Sequence, residues 1–370
     1  MPRALATVDL GAVRGNVGML LGMLSPGTGL MAVVKADGYG HGAVPVARAS
    51  LAAGAESLGV ATAAEAAALR EAGLDCPVLV MGPLTAAEAG EAIGAGAEIV
   101  VWSTSFLRMM IKEARRQDRR VRVHVKLDTG MRRLGLYPRG LAVFLDELAA
   151  QPEVELAGVM THFATADEED GDFFDFQLRA FDEAVQAALL RAHAPLRFHC
   201  ANSAAAIRYP QSHFDFVRAG IAIYGMSPFQ SDPASDHLQP SLSLTSYVAD
   251  VKRLTEGDSV GYGRTWTAPD NNYIAAVPIG YADGVSRLLS NKGRVLIGGG
   301  SFPIVGRISM DQITVDLGPA PLAGPGDEVV LIGRQGGELV TAEEVARLEG
   351  TINYEVACAI STRVERRYTG

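Results

Sequence analysis

Short apolar segments alternate with helical segments through the first two thirds of the chain, and this alternation limits the fold more than any other feature. The segments between the apolar ones place apolar residues three and four positions apart, as helices do, for example in 62–74, 104–117 and 172–193. Eight strand-helix units predict a parallel sheet closed into a (β/α)8 barrel of the TIM type, with an open sheet as the main alternative. The eight predicted strands are 31–35, 57–61, 77–82, 98–103, 120–128, 155–163, 196–202 and 214–220.

The pattern changes after about residue 237, where strands are separated by turns rich in Gly, Asp and Pro. We therefore expect an α/β protein with an N-terminal barrel over residues 11–236 and a mainly β C-terminal domain over residues 237–370. A spare strand precedes the first barrel unit, so residues 1–10 are assigned to the β domain. The segments that predict the second domain are 243–254, 272–282, 294–300, 302–317 and 327–333.

The composition favours a folded protein that acts on a small molecule. With 48% hydrophobic residues and a net charge of −9, the 370-residue chain has a large core and no basic surface for nucleic acid or anionic lipid. No apolar run approaches the roughly 18 residues of a membrane span, and the N-terminus lacks the apolar segment of a secretory signal, so we expect a cytoplasmic protein. Its three cysteines are widely spaced, which predicts neither disulfides nor a metal site.

Polar side chains follow several predicted strands, where a barrel opens its active-site face. The chain has only five lysines, and two of them, Lys35 and Lys126, lie at strand ends. The alternative is that these lysines extend from the strand ends into solvent and serve only to keep the protein soluble. The other polar residues at strand ends are Asp128, His162, Asn202, Ser203 and Arg218.

The segment "MAVVKADGYGHG" (31–42) brings a lysine out of an apolar strand into a glycine-rich loop. A lysine amine in a pocket of low dielectric can attack an aldehyde and form a Schiff base, and Lys35 has the position for this. The glycines would let the backbone approach a flat group. A phosphate anchor is expected after strands seven and eight, where "NSAA" opens a helix and "RAGIAIYG" supplies amides. Pyridoxal phosphate satisfies both demands.

The chain resembles the alanine racemases, which are barrel-type enzymes that use pyridoxal phosphate. The likeness follows the chain in order through both predicted domains, so it is far more specific than one glycine-rich loop. The motifs that carry it are "AVVKADGYGHG" (32–42), "KLDTGMRRLG" (126–135), "MTHFATAD" (160–167), "HCANSAA" (199–205), "VRAGIAIYGMSP" (217–228), "VGYGRTW" (260–266), "VPIGYADG" (277–284), "VGRISMDQ" (305–312) and "INYEVACAIS" (352–361).

The resemblance implies where pyridoxal 5'-phosphate is bound. Lys35 would form the Schiff base, Arg218 would face the pyridine nitrogen, and His162 would support Arg218. An arginine cannot give up its proton, so the ring nitrogen would stay unprotonated and the ring would be a weaker electron sink. The residues that would hold the phosphate are Tyr39, Ser203, Gly220, Ile221 and Tyr354.

The resemblance also implies the reaction, an isomerisation that interconverts L-alanine and D-alanine and supplies D-alanine for cell-wall peptidoglycan. Two bases would move the α proton on the pyridoxal-phosphate aldimine, with Lys35 acting on the D isomer and Tyr262 on the L isomer. The protein would be a head-to-tail homodimer, and Tyr262 would enter the active site of the other chain. The residues that would bind substrate are Arg133, Met310, Asp311 and Tyr281.

Some alternatives stay open at this point. Lys126 either carries a carbamate, as the matching lysine does in some relatives, or is an unmodified lysine paired with a carboxylate. The enzyme could be a racemase of broader specificity, for serine, lysine or arginine, and "VGYGRTW" argues against a decarboxylase. A non-catalytic protein that binds pyridoxal phosphate would resemble a barrel alone, whereas this chain continues into a second domain.

Overall fold

The computed structural model describes residues 2–191 and 195–370, and the chain divides into two compact units. The first, called the barrel unit, comprises Arg14–Gly38 and Ala43–Ile223. The second, called the β unit, comprises Met1–Val13, Tyr39–Gly42 and Tyr224–Gly370. The last two positions of the helix predicted over 172–193 lie outside the described residues, and the domain boundary at residue 237 stays a prediction.

A closed ring of parallel strands forms the centre of the barrel unit, as the sequence predicts. The first strand of the chain, β1 (Leu5–Asp9), and the helix α1 (Leu10–Met23) come before it. The ring runs in the order β8-β7-β6-β5-β4-β3-β2-β9. Backbone hydrogen bonds from Asp215 to Phe198 (3.0 Å) and from Arg218 to Ala201 (3.0 Å) connect the two ends and close it. The strands are β2 (Gly29–Val33), β3 (Ser57–Val60), β4 (Val78–Val80), β5 (Glu98–Val101), β6 (Val121–Lys126), β7 (Val154–Met160), β8 (Arg197–His199) and β9 (Phe216–Ala219).

Helices follow the barrel strands, and their ends are set by local sequence. Thr62 and Glu65 form a capping box at the start of one helix, and Thr85 and Glu88 form a second. No helix in the described part of the chain is long and apolar enough to cross a membrane. The helical segments of this unit are α2 (Lys35–Tyr39), α3 (Ala43–Ala52), α4 (Ala63–Glu71), α5 (Ala86–Gly94), α6 (Thr104–Arg116), α7 (Leu141–Ala149), α8 (Asp172–Leu189) and α9 (Ser203–Arg208), with 3-10 turns at Pro138–Gly140, Pro210–Ser212 and Ile221–Tyr224.

The interior of the barrel contains an apolar cluster and several buried polar side chains. A cluster of buried side chains from the strands includes Met31, Leu79, Val100, Met160 and Phe216. Burial of strands on both faces is typical of parallel sheets and explains why their sequences are almost continuously apolar. The exceptions are therefore informative, and they are buried charged or polar residues on the same strands: Glu98, His124, Lys126, His199 and Arg218.

The β unit contains mainly β-strands, as the sequence predicts, and most of its strand pairs are antiparallel. Its largest sheet has the order β16-β15-β18-β10-β1-β20, with β19 on β18, so that the strand at residues 5–9 pairs inside this unit. A second sheet has the order β11-β14-β17, and β12 pairs with β13. The elements are β10 (Leu242–Tyr247), β11 (Asp250–Leu254), β12 (Ser259–Val260), β13 (Trp266–Thr267), β14 (Asn272–Val277), β15 (Arg294–Ile297), β16 (Gly300–Pro303), β17 (Ile313–Gly318), β18 (Glu328–Gln335), β19 (Glu338–Val340), α10 (Ala342–Glu349), α11 (Asn353–Ala359) and β20 (Glu365–Thr369), with 3-10 turns at Pro233–Asp236, Tyr262–Arg264 and Arg287–Leu289.

Two glycines of the barrel unit should respond in opposite ways to a methyl group. A Cβ on Gly82 would lie 2.2 Å from the Ala61 carbonyl oxygen, so Gly82→Ala should lower the free energy of unfolding by about 1–3 kcal/mol. Gly18 lies in α1 with open space around it, so Gly18→Ala should raise that free energy by about 0.5–1 kcal/mol. Urea unfolding followed by circular dichroism measures both, and equal effects would contradict the expectation.

Candidate active site

Lys35 begins a left-handed turn directly after the first barrel strand. The strand was predicted to reach Lys35, but it ends at Val33. Ala36 (φ 52°), Asp37 (φ 49°) and Gly38 (φ 62°) are all left-handed, and Tyr39 (φ 53°) continues the pattern. Residues other than glycine rarely adopt this conformation in succession, because the Cβ crowds the following carbonyl. The surrounding structure must therefore hold the turn in place.

Glu65 holds the start of this turn with the same carboxylate that caps helix α4. Its Oε1 accepts a hydrogen bond from the backbone N–H of Ala36 at 2.6 Å. Its Oε2 accepts from the N–H groups of Ala61 (2.7 Å) and Thr62 (3.1 Å). The far end of the turn is held by Asp37, whose Oδ1 accepts from the N–H of Ala43 at 2.8 Å. One carboxylate thus connects the residue after Lys35 to the second barrel helix.

Positive charge gathers at the carboxyl ends of the barrel strands. Burial, followed by the neighbouring charges of Arg218, Arg133 and Lys35 in that order, lowers the pKa of Lys126 to about 8. Asp128 opposes them and raises the same pKa. Among the described residues, no carboxylate lies within ion-pair distance of the Lys126 amine. A cluster with this excess of positive charge is suited to an anionic ligand.

Arg218 is buried among acceptors that occupy both of its terminal nitrogens. Nη1 donates to His199, both to Nδ1 (3.1 Å) and to the carbonyl oxygen (3.0 Å). Nη2 donates to the carbonyls of Thr161 (2.8 Å) and Cys200 (3.1 Å) and to Nδ1 of His162 (3.1 Å). In the described parts of the chain no acceptor is paired with the Nε–H. That group is the donor that Arg218 can offer to a ligand.

The two histidines beside Arg218 are neutral. Burial is the main reason that the pKa of His162 lies well below its usual value, and the charge of Arg218 adds to it. Burial likewise lowers the pKa of His199. Burial also lowers the pKa of Arg218 to about 10, which still leaves the guanidinium charged at neutral pH. The site therefore combines a charged guanidinium with neutral imidazoles that accept hydrogen bonds from it.

Ser203 lies at the first position of α9, where the sequence predicts a helix start. The side chain of Asn202 caps the helix by accepting from the N–H of Ala205 at 3.0 Å. The Ser203 hydroxyl oxygen accepts from the N–H of Gly220 at 2.9 Å and of Ala222 at 3.4 Å. The structure thereby brings the hydroxyl of Ser203 together with the backbone at Gly220 and Ile221, three of the predicted phosphate ligands.

Tyr39 and Tyr354 come together in the β unit. Their ring centroids are 6.0 Å apart, and Tyr224 lies 5.0 Å from Tyr39 on the other side. Burial, with a smaller effect of Tyr354, raises the pKa of Tyr39, so its hydroxyl stays protonated. The backbone is close here as well, since a Cβ on Gly40 would lie 2.4 Å from the Ala357 carbonyl oxygen.

Tyr262, Met310, Asp311 and Tyr281 belong to the β unit and are exposed there, whereas Arg133 is an exposed residue of the barrel unit. Tyr262 lies between two left-handed glycines, Gly261 (φ 70°) and Gly263 (φ 72°), and its side chain is 72% exposed. Met310 is 53% exposed and Tyr281 is 44% exposed. The carboxylate among the predicted substrate ligands, Asp311, pairs with Arg363 at 2.8 Å.

Comparison with known proteins places both units in one family. Residues 8–228 match the model of the alanine racemase N-terminal domain, and residues 241–368 match that of the alanine racemase C-terminal domain. The chain belongs to the alanine racemase family.

Individual relatives support this assignment over the whole length. The chain is 44% identical to the alanine racemase of Symbiobacterium thermophilum, over 99% of this chain and 97% of that one. It is 43% identical to the alanine racemase of Cutibacterium acnes over the same shares. The crystal structure of alanine racemase from D-cycloserine producing Streptomyces lavendulae matches with a TM-score of 0.95 and 40% identity, covering 100% of this chain and 98% of that one.

Several buried or capping polar residues that contact the site or its neighbours were not predicted from the sequence. Glu65 could have been found from the capping box "TAAE", although nothing in that motif indicates a contact with Ala36. Glu98 and His124 are buried polar residues within predicted strands, which is a detectable signal. The direction in which these side chains point depends on the barrel register and could not be predicted.

The contact between Glu65 and the turn after Lys35 predicts a local effect. Glu65→Ala should lower the free energy of unfolding by roughly 2 kcal/mol, the usual value of hydrogen bonds to a charged group. The amide of Ala36 should also exchange faster with deuterated solvent, as measured by mass spectrometry. Glu71→Ala, at an exposed position of the same helix, is the control. Unchanged exchange at Ala36 would show that Glu65 does not hold the turn.

Proposed function

We propose that this member of the family is an alanine racemase that interconverts L-alanine and D-alanine with bound pyridoxal phosphate. The observation that carries the proposal is the cluster at the barrel mouth, where the charges of Arg218 and Lys35 both lower the pKa of Lys126. The similarity to curated alanine racemases over the full chain supports the choice of substrate. The second unit, which matches the C-terminal domain of the family, argues against a barrel that only binds the cofactor.

The residues of the barrel unit fit this cofactor. Its aldehyde needs an amine, which Lys35 supplies, and its phosphate suits the positive cluster and the hydroxyl of Ser203. The pyridine nitrogen needs a donor, and the Nε–H of Arg218 is the one that its other contacts leave over. When bound, the cofactor supplies an aldehyde and an electron-withdrawing ring, which together acidify the α proton of an amino acid.

Arg218 would favour racemisation over transamination. A guanidinium does not give up its proton, so Arg218 would hold the ring nitrogen by a hydrogen bond without protonating it. A neutral ring withdraws fewer electrons than a protonated one. By leaving the nitrogen unprotonated, Arg218 would limit transamination and favour return of a proton to the same carbon. His162 supports this role by accepting from Nη2 of Arg218 at 3.1 Å.

Lys35 and Tyr262 are the proposed pair of bases. Racemisation removes a proton from one face of the substrate carbon and returns one to the other face, so two groups on opposite sides are required. Lys35 would act on the D isomer and Tyr262 on the L isomer. Because a tyrosine ordinarily titrates near pH 10, a nearby cation is needed, and we assign this role to Arg133.

The proposed active protein is a homodimer in which each site takes Tyr262 from the partner chain. The high exposure of Tyr262, Met310 and Tyr281 supports this, since exposed aromatic and Met side chains are enriched at interfaces. In the dimer Met310, Asp311 and Tyr281 would shape the substrate pocket. Supply of D-alanine for peptidoglycan is the proposed role, and the cytoplasmic location stays a prediction.

Alanine should be the only amino acid racemised at a substantial rate. The test is incubation of the purified protein and pyridoxal phosphate with L-alanine, D-alanine, L-serine, L-lysine or L-arginine, followed by chiral chromatography. Lys35→Ala should abolish activity, because both a base and the covalent anchor are lost. Lys112→Ala, an exposed lysine of α6, should not. Faster racemisation of another amino acid would refute the substrate, and no racemisation would refute the reaction.

Two inactive variants should restore activity when they are combined. Lys35→Ala and Tyr262→Phe should each be inactive alone. After mixed refolding or co-expression, about a quarter of the wild-type activity should return, because half of the dimers are mixed and each mixed dimer has one intact site. Co-expression of Lys35→Ala with wild-type protein calibrates the amounts. If the mixture stays inactive while mixed dimers form, the two bases come from the same chain.

Lys126 is proposed to carry a carbamate. Its pKa of about 8 makes a neutral amine available near neutral pH, and that amine can add CO2 and release a proton. The product is an anion beside Arg133 and Arg218. Added bicarbonate should therefore raise the activity of enzyme purified without CO2, and labelled CO2 should give a carbamate signal by carbon NMR. Lys126→Ala should lose both responses, whereas Lys252→Ala should keep them.

A further inference from the structure

A line of buried hydrogen bonds runs through the barrel from the amino end of one strand to Arg218. Oε2 of Glu98, the first residue of β5, lies 2.8 Å from Nε2 of His124 on β6. Nδ1 of His124 lies 2.8 Å from Nε2 of His199, at the end of β8. Nδ1 of His199 lies 3.1 Å from Nη1 of Arg218. All four side chains are buried.

The chemistry of the two ends fixes the direction of every bond in this line. A guanidinium can only donate, so as long as Arg218 keeps this contact Nδ1 of His199 accepts and its proton is on Nε2. That proton is donated to Nδ1 of His124, which places the proton of His124 on Nε2. An ionised carboxylate can only accept, and Glu98 receives this last proton. Both histidines are therefore neutral Nε2–H tautomers while the line is intact.

The surroundings support an ionised Glu98, and burial lowers the pKa of His199. Burial raises the pKa of Glu98, but the hydrogen bond from His124 and the charge of Arg122 outweigh it, and the net pKa lies below the usual value. Arg122 pairs with the second oxygen of Glu98. A doubly protonated His124 would place a donor against the Nε2–H of His199, so the line excludes it.

The neighbouring strand is shaped to admit the ring of His124. A Cβ on Gly158 of β7 would lie 2.6 Å from Nδ1 of His124 and 2.4 Å from the Arg197 carbonyl oxygen. The pairing of β6 with β7 shifts by one residue at this place, between Val123 and His124. The barrel thus departs from regular pairing where the two imidazoles meet.

We propose that Glu98, His124 and His199 act as positioning residues that fix the orientation of Arg218 by setting the tautomer of the imidazole it contacts. This inference rests on the proposed function for its catalytic consequence. Without the carboxylate, His124 can hold its proton on Nδ1 and donate it to His199. His199 would then turn an N–H toward the N–H of Arg218, and the guanidinium would lose that acceptor and move.

The test uses holoenzyme labelled with nitrogen-15 histidine, whose chemical shifts distinguish protonated from unprotonated ring nitrogens. The wild-type protein should show His199 with Nδ1 unprotonated, assigned by comparison with His199→Gln. Glu98→Ala should shift His199 toward the Nδ1–H form. Racemisation kcat should fall about ten- to a hundredfold, the loss expected for one hydrogen bond to a charged group, with a smaller change in KM.

Two matched variants separate tautomer control from a merely structural ion pair. Glu98→Gln removes the charge but keeps an oxygen that can accept from His124, so the His199 tautomer and most of kcat should be retained. Glu155→Ala removes the other carboxylate beside Arg122, 3.3 Å from its Nε, and should resemble the wild type. If Glu98→Gln is as impaired as Glu98→Ala, the ion pair explains the effect and the inference fails.

The outcomes also separate this inference from the proposed function. Protonated Nδ1 on His199 in the wild-type protein overturns the inference whatever the activity. An unchanged His199 tautomer in Glu98→Ala also overturns it. If the wild-type protein racemises no amino acid, the proposed function fails, and the tautomer measurements alone still decide whether Glu98 sets the proton positions at Arg218.

Discussion

The buried positive charge of Arg218 is the constraint on which the barrel site depends. Removing a guanidinium from water is costly unless acceptors replace the lost water. The barrel supplies three carbonyls and two imidazole nitrogens, and all of them come from the ends of β7 and β8. Closure of the ring brings these ends beside β9, which carries Arg218. The closed barrel thus supplies the acceptors that replace water around the guanidinium. The charges of Lys126 and Lys35 act together with that of Arg218, which makes the site selective for anions.

The sequence predicts the barrel because each strand and helix has a local pattern that needs no tertiary information. All eight barrel strands were found in this way. Lys35 shows where such reasoning stops: three of the residues after it, Ala36, Asp37 and Tyr39, are left-handed without being glycine. No local preference favours that turn, which depends on a hydrogen bond from Ala36 to Glu65, twenty-nine positions away. A long-range contact of this kind cannot be inferred from periodicity.

The candidate site illustrates the same limit. Arg218 lies near the end of β9, and Ser203 and His162 follow strands, so their gathering was expected from the barrel itself. The line through Glu98 and His124 was not, because it depends on which face of each strand points inward. A one-residue shift in the pairing of β6 and β7 decides this for His124, and the only trace in the sequence is a glycine at position 158. That glycine is interpretable only after the contact is known.

The line from Arg218 to Glu98 has a consequence for the electric field of the barrel. Every proton in it is donated in the same direction, so the N–H bond dipoles add along the line, with their negative ends toward the mouth and their positive ends toward Glu98 at the amino end of β5. This alignment is set by covalent structure and packing, in a region closed to ions. Dissolved salt screens exposed charges over about 8 Å at physiological strength, but it has little access to a dipole inside a packed barrel. The barrel itself therefore acts as a fixed source of potential at its mouth.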